Sequence, residues 1–296
     1  MYPVRSATWL APLVRRLVVA APRVAARHRP GHFVIVRGTA DGERIPLTIA
    51  DSDPSAGTLT LVIQMAGATT ERLCALVAGD ALSDVVGPLG RPTELERFGH
   101  VVLVGGGVGT AVIHPQAAAL KALGNRVTAV IGGRSRPYVI LEEELGAVCD
   151  AVLPCTDDGS HGFHGFVTQR LARLLEEPPP VDAVITAGPV PMMRAVAEVT
   201  RPRGVRTIAS LNPLMVDGTG MCGGCRVTVG GEQRFACVDG PEFDAHAVSF
   251  DELQDRLGAY RAQELRARER LLADRDHQCR LDRARAELDA PAREGR

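Results

Sequence analysis

The sequence predicts an all-β unit followed by an α/β unit: an N-terminal antiparallel β-barrel, a doubly wound parallel sheet, a short cysteine-rich loop domain and a charged, partly helical tail. Three observations predict it. Before residue 98, short β-rich runs alternate with turn signals at the spacing of a small barrel. From His100 onward, continuous apolar strands alternate with helical stretches, the pattern of a parallel sheet covered on both faces. From Leu211, glycine and cysteine crowd a segment too short to build its own core. The expected boundaries are 1–98, 99–210, 211–250 and 251–296.

The barrel runs are His32–Arg37, Arg44–Ile49 and Thr58–Met65, separated by Arg29-Pro30-Gly31, Asp41-Gly42 and Pro54-Ser55-Ala56-Gly57. In the second unit, His100–Val104 is a buried strand, followed by a glycine turn and a helix through Leu123. Arg126–Ile131, Ala151–Pro154 and Ala183–Thr186 continue the sheet, with helical patterns near Glu142 and over Thr168–Leu175. From Asp251 about half the residues are charged; Leu253, Leu257 and Tyr260 at i, i+4, i+7 predict a docking helix, and 261–296 a solvated segment.

Composition narrows the function. The 296 residues are about two domains' worth, and 45% hydrophobic with 23% charged content excludes disorder, collagen and a disulfide miniprotein. Thirty-four basic against 35 acidic residues leave a net charge of -1, so no long-range field gathers nucleic acid or an anionic membrane. Neither is an expected partner. Arg5, Arg15, Arg16 and Arg23 interrupt the N-terminal apolar stretches, leaving no uncharged run near the roughly 20 residues that span a bilayer, and no signal-peptide order. A cytoplasmic location is expected.

Two motifs at one sheet edge read as a nucleotide site. Gly105, Gly106, Gly107 and Gly109, before Thr110, follow a buried strand, where glycines let the backbone approach a pyrophosphate and a helix N-terminus offers its amides. Such turns are also glycine-rich for steric reasons alone. No acidic residue ends the next strand as in the standard dinucleotide fingerprint; Gly132-Gly133-Arg134 stands there. A second loop, Ala187-Gly188-Pro189-Val190-Pro191-Met192-Met193, ends the fourth strand at the same carboxyl edge.

Three of the seven cysteines crowd into 222–237. Asp217, Cys222, Cys225 and Cys237 stand with four, two and eleven residues between successive members. The first three positions copy the spacing of plant-type [2Fe–2S] ferredoxins, with aspartate in the first cysteine's place. Gly218, Gly220, Gly223 and Gly224 permit the backbone angles of a loop whose amides point at sulfur. Three readings stay open: an iron–sulfur cluster, which the spacing favours; a structural zinc, for which one pair faces only a lone Cys237; and thiols without metal. Asp217 either ligates iron, the favoured reading, or only accepts hydrogen bonds from nearby amides. Cys74, Cys149, Cys155 and Cys279 have no partner at ligand spacing.

Barrel, nucleotide sheet and cysteine loop, in this order, resemble the ferredoxin-reductase-like electron-transfer subunits over about residues 10–255. Ser210–Val229 with Phe235–Phe243 carries the most specific likeness. Within that family the chain resembles the small subunits of NADH-dependent reduced ferredoxin:NADP oxidoreductases and sulfide dehydrogenases. The related dihydroorotate dehydrogenase electron-transfer subunits have cysteine where this chain has Asp217. The resemblance implies FAD on the barrel, held by Arg44, Pro46, Leu47 and Thr48 and then by Gln64, Gly67, Thr69 and Thr70, with Gly87-Pro88-Leu89-Gly90 as a structural turn closing the barrel. It implies NAD(H) at Gly105–Thr110 and Gly188–Met193, with Asp157 facing the ribose. Arg134 and Arg136 leave NADP(H) open as the alternative.

The implied function is transfer of electrons from NAD(H) through FAD and a [2Fe–2S] cluster to a larger flavin and iron–sulfur subunit that binds NADP(H), with ferredoxin a further partner of a bifurcating complex. Hydride passes between cofactors, so no catalytic acid or base is nominated. Departures are His32, where the family has glutamine, and Val112-Ile113-His114, which replaces an alanine- and proline-rich stretch. Two alternatives stand: a subunit serving sulfide or dihydroorotate oxidation, and a non-catalytic, zinc-stapled dinucleotide sensor.

Overall fold

The computed structural model describes residues 1–274. Its first unit is a seven-stranded antiparallel sheet built from β1 (Tyr2–Ala11), β2 (Val14–Ala20), β3 (Phe33–Arg37), β4 (Arg44–Asp53), β5 (Thr58–Gln64), β6 (Ala81–Leu82) and β7 (Asp84–Leu89), with α1 (Pro22–Ala25) and α2 (Ala68–Cys74) between strands. The order β6-β1-β2-β5-β4-β3-β7 puts two strands joined by Ser83 alone at opposite edges, so the chain itself nearly closes the barrel. Closure leaves little unpaired edge to template aggregation. Strand β5 shows the alternation that built it: Leu59, Leu61 and Ile63 point into a core shared with Leu17, Val34 and Ile49.

Within the 1–98 unit the strands begin earlier than the runs marked in the sequence. The hairpin of β1 and β2 occupies 2–20, ahead of His32–Arg37, the first run named there. Strand β1 fully buries only Val4 and Ala11 of its ten residues, so its apolar alternation is faint. Arg15, half-exposed, lies over the Trp9 ring at 4.7 Å. Gly87–Leu89 are part of β7 rather than a free turn, and Gly90 makes the turn.

The second unit is a sheet of order β11-β10-β9-β8-β12-β13-β16. Its strands and helices run β8 (His100–Gly106), α3 (Gly109–Ala122), β9 (Arg126–Gly133), α4 (Glu142–Gly146), β10 (Ala151–Thr156), β11 (Phe163–His164), α5 (Val167–Leu174), β12 (Ala183–Ala187), α6 (Val190–Thr200) and β13 (Arg206–Ser210). All pairings among these strands are parallel. Alternate residues of β8 feed the two faces: Val101 and Leu103 pack under α3, Val102 and Val104 under α5 and α6. The doubly wound sheet thus matches expectation, with two parallel strands more, β11 and β13: β11 is only two residues long, and β13 went unread because Arg206 and Ser210 leave too short an apolar run. The crevice of such a sheet lies at the carboxyl ends of β8 and β12, where the connections leave in opposite directions.

The remaining chain forms the hairpin β14 (Arg226–Val229) and β15 (Glu232–Phe235), then α7 (Ala236–Asp239), β16 (Glu242–Asp244) and α8 (Phe250–Gly258). This unit has no core of its own. Cys225, Val227 and Cys237 pack with Phe33 and Ile35 of β3 and Val190 and Met193 of α6, while β16 extends the second sheet antiparallel to β13. Helix α8 docks through Phe250, Leu253 and Leu257. Tyr260 does not join them: the helix ends at Gly258 and Tyr260 stands in the following turn, exposed. Residues 261–274 are helical and mostly exposed. The rest of the tail reading, and Cys279, lie outside the described residues. No helix among the described residues is long and apolar enough to cross a membrane.

Candidate functional site

The two glycine loops meet at the crevice. A Cβ on Gly109 would lie 2.1 Å from the Ala187 carbonyl oxygen and 2.7 Å from the Gly188 Cα; one on Gly106 would lie 2.4 Å from the Met192 sulfur. Gly107, at φ 55°, donates its amide to the Gly132 carbonyl at 2.9 Å, tying the turn to β9. Pro189 opens α6 from its N-cap position. The Thr110 and Met193 side chains are buried in the core, where they hold the loops. Asp157 is exposed just past β10, its amide on the Gly133 carbonyl at 3.2 Å. Arg134 and Arg136, also exposed, belong to the neighbouring loop, joined to the Asp157 loop by Arg136 N–H donating to Ser160 Oγ at 2.8 Å.

On the barrel, Arg44 is exposed at the start of β4, and Pro46, Leu47 and Thr48 are half-buried along it. Gln64 is exposed at the end of β5, and Gly67 caps α2. The Thr69 hydroxyl donates to Glu43. Thr70 is occupied locally: its hydroxyl accepts from the Ala66 and Gly67 amides, each at 2.9 Å, and donates to the Gly67 carbonyl at 3.0 Å. It shapes the turn. Helix α3 brings the nucleotide sheet onto this strand, with Ala111 packed near Ala50 and His114 Nδ1 3.3 Å from the Ala50 carbonyl.

The cysteine loop lies on the same side of the barrel. Gly218, at φ 75°, is where it comes closest: a Cβ there would meet Leu89 at 2.6 Å and Ile35 at 2.9 Å, on strands β7 and β3. Asp217 accepts the Thr219 amide at 2.9 Å and the Cys222 amide at 2.8 Å, one on each oxygen. The Thr219 amide first, then that of Cys222, holds its carboxyl below the usual range. This is the hydrogen-bonding role weighed against ligation, and each oxygen keeps a second lone pair. Cys225 and Cys237 are buried with their sulfurs 3.1 Å apart, and Cys222 is exposed. Burial first, then the Cys225 thiol, pushes Cys237 up to about 12, while the Gly220 amide pulls it down.

This donor set fits an iron–sulfur cluster. Two thiolates on one tetrahedral ion at about 2.3 Å stand on the order of 3.8 Å apart, so the Cys225 and Cys237 sulfurs, 3.1 Å apart, would have to separate by less than about 1 Å to share one iron. Among the described residues no three His, Cys, Asp or Glu side chains converge on a single ion; the Cys225 and Cys237 thiols lie together, and Asp217 is tied to Cys222 through that residue's backbone amide. Cys74, Cys149 and Cys155 lie outside the loop, and burial pushes each of them up to about 11.

Two polar residues escaped the sequence reading. Glu242 of β16 accepts from Thr93 Oγ1 at 2.9 Å and from the Gln116 side-chain amide, joining the interdomain linker, α3 and the cysteine unit. The residue keeps some surface, but its carboxyl is enclosed by Gln116, itself fully buried, and burial pushes it up to about 7. Arg256 of α8 donates to the Gly224 carbonyl at 3.2 Å. No motif marks either one, since each partner lies far away in sequence.

Comparison with known proteins agrees with this layout. Residues 212–249 match the iron–sulfur cluster binding domain of dihydroorotate dehydrogenase B. A Thermotoga maritima homolog of the dihydroorotate dehydrogenase B (NAD(+)) electron transfer subunit is 48% identical over 254 residues, 86% of this chain and 89% of that protein. The corresponding Bacillus caldolyticus subunit is 35% identical over 242 residues, 78% of this chain and 91% of that protein. A chain of the NADH-dependent reduced ferredoxin-NADP oxidoreductase structure, described for flavin-based electron bifurcation, superposes with a TM-score of 0.87 at 44% identity, covering 92% of this chain and 98% of that one. With glycine loops, barrel and cysteine loop in the same arrangement, the chain belongs to the ferredoxin-reductase-like family of dihydroorotate dehydrogenase B-type electron-transfer subunits.

Proposed function

We propose that this electron-transfer subunit takes electrons from NAD(H) into FAD on the barrel and releases them through a [2Fe–2S] cluster to a larger flavin and iron–sulfur partner that binds NADP(H). One observation carries the reading: the glycine loops, through α3, and the cysteine loop, through Gly218, abut neighbouring barrel strands β4, β3 and β7. A nicotinamide held at the glycine loops would supply a hydride, a flavin held on the barrel would convert it to single electrons, and a cluster held at the cysteine loop would carry those onward.

The chain's own residues bind and orient. Arg44 offers a guanidinium to a pyrophosphate, while Pro46, Leu47 and Thr48 form a half-buried wall for a flat ring. Gln64, Gly67 and Thr69 continue that surface, on the turn that Thr70 shapes. Gly105, Gly106, Gly107, Gly109, Gly188 and Pro189 let a dinucleotide lie against backbone; Met192 borders it, and Asp157 reaches toward a ribose. Asp217, Cys222, Cys225 and Cys237 hold the cluster. Two apolar side chains of the Cys222 loop, Val216 and Met221, are exposed by 56% and 89%. An exposed apolar rim beside an electron exit suits a protein partner. Met221→Glu is expected to weaken partner binding at least tenfold with the cluster spectrum unchanged, read by titration of the purified partner.

A flavin band overlaid by a broad visible tail in anaerobic protein, both bleached by NADH, is the expected result; a colourless chain with zinc and no iron overturns it. Asp217→Cys is expected to retain the cluster with a lowered potential, because thiolate donates more charge than carboxylate. An unchanged spectrum and potential would place Asp217 outside the ligand set. The family model at 212–249 favours a second partner, a dihydroorotate-oxidising subunit. Isolation of the larger subunit under low oxygen decides between them.

A further inference from the structure

We infer that Arg256 is a positioning residue for the cysteine loop and raises the reduction potential of the cluster held there, an inference that rests on the iron–sulfur reading above. Helix α8 is a firm base for it. Phe250 and Leu253 are buried in the core that also contains Cys225 and Cys237, and Leu257 packs against that core. Arg256 projects from the same helix onto the loop, where Nη2 donates to the Gly224 carbonyl at 3.2 Å.

Gly223 and Gly224 separate Cys222 from Cys225, and a Cβ built on Gly224 would stand 3.6 Å from the Cys222 sulfur. The guanidinium is therefore bonded to the residue next to Cys225 and two positions from Cys222. Its Nε is buried and has no hydrogen-bond partner, which leaves the cation under-compensated beside the loop. Helix α8 carries three acids, Asp251, Glu252 and Asp255; among the described residues none is ion-paired with Arg256, and Asp251 is paired with Arg194.

The charge argument has a definite sign. Arginine stays protonated throughout the accessible pH range. Reduction of the cluster adds one electron from the reduced flavin, with no bond made or broken and no proton taken up. It places one more negative charge in the loop, and a fixed cation bonded to that loop's backbone favours that state more strongly than in water. The hydrogen bond to Gly224 adds a geometric part by holding the 222–225 turn, and with it the spacing of the two sulfurs.

The test uses the full-length chain with its cluster, Arg256→Gln and Arg256→Lys, following iron and sulfide content, the visible circular dichroism and a redox titration read by electron paramagnetic resonance. For Arg256→Gln, iron content close to wild type is expected, with the reduced-to-oxidised ratio at the wild-type midpoint falling about tenfold, ~59 mV for a one-electron couple. Arg256→Lys is expected to recover most of that shift because the charge is kept. Wild-type midpoints in both variants at full iron content overturn the inference. If Arg256→Gln folds without iron, Arg256→Lys decides: a retained cluster near the wild-type midpoint supports the proposal, and a lost cluster or an equally displaced midpoint overturns it. Wild-type chain that takes up no iron and sulfide would instead sink the iron–sulfur reading, and this inference with it.

Discussion

Gly109→Ala is expected to slow NADH-dependent flavin reduction by about 100-fold or more while sparing the cluster spectrum. The added Cβ would stand 2.1 Å from the Ala187 oxygen, 2.4 Å from its carbonyl carbon and 2.7 Å from the Gly188 Cα. All three are backbone atoms, so no side chain can swing away. The turn after β8 and the loop after β12 must instead separate by an ångström or more, and both are proposed to grip the same dinucleotide. Gly107→Ala is the control. Its φ of 55° makes alanine unfavourable by roughly 1–2 kcal/mol, but no atom lies within 4 Å of the new Cβ. Stopped-flow reduction of the two variants should therefore differ sharply. Wild-type rates in Gly109→Ala would remove these loops from the nucleotide site.

Glu242→Gln is expected to change how stability depends on pH. The carboxyl sits at about 7 in the folded chain against an ordinary 4.5, chiefly through burial, so the folded protein keeps a proton that the unfolded chain loses between those values. Stability from this group is complete below about 4.5, falls as pH rises, and levels off above about 7. The whole span is on the order of 3 kcal/mol. His28, lowered to about 4 mainly by burial, acts in the opposite direction, adding stability as pH rises toward 6.5. The informative quantity is thus the difference between variant and wild type. Glutamine keeps an acceptor for Thr93 and Gln116 and has no charge to bury. Denaturant unfolding at pH 5 and pH 8 should show Glu242→Gln gaining on wild type by about 2–3 kcal/mol at the higher pH. Parallel curves would show that the carboxyl is not held protonated.

The parts legible in the sequence were those written over short stretches. Strand periodicity marked β3, β4, β5, β8, β9, β10 and β12, because burial on a sheet repeats every second residue or, between two helical layers, at every residue. It failed at β1, whose outward face carries Arg5, and at β13, whose five residues begin and end polar. Residue chemistry also reads locally. Glycines after a strand, and an aspartate and two cysteines at four- and two-residue separations, identify themselves wherever the chain travels. Side-chain direction does not: Thr110 and Met193 fall inside the core, Thr70 is taken up by its own turn, and Tyr260 lies past the end of α8.

The sequence by itself determined the order of the units, the phosphate-type turn and the three-thiol loop with its aspartate. Only the tertiary structure decided what those parts meet. Gly109 is in backbone contact with Ala187, Gln116 and Thr93 enclose Glu242, and Arg256 reaches Gly224 across 32 positions. The unit after 210 also lends β16 to the sheet of its neighbour and buries its cysteines against β3 and α6. The reason is physical. Periodicity records which face of an element is buried, whereas the partner on that face is set by how closed barrel, wound sheet and loop pack together. That choice depends on the shape of the whole chain rather than on any window within it.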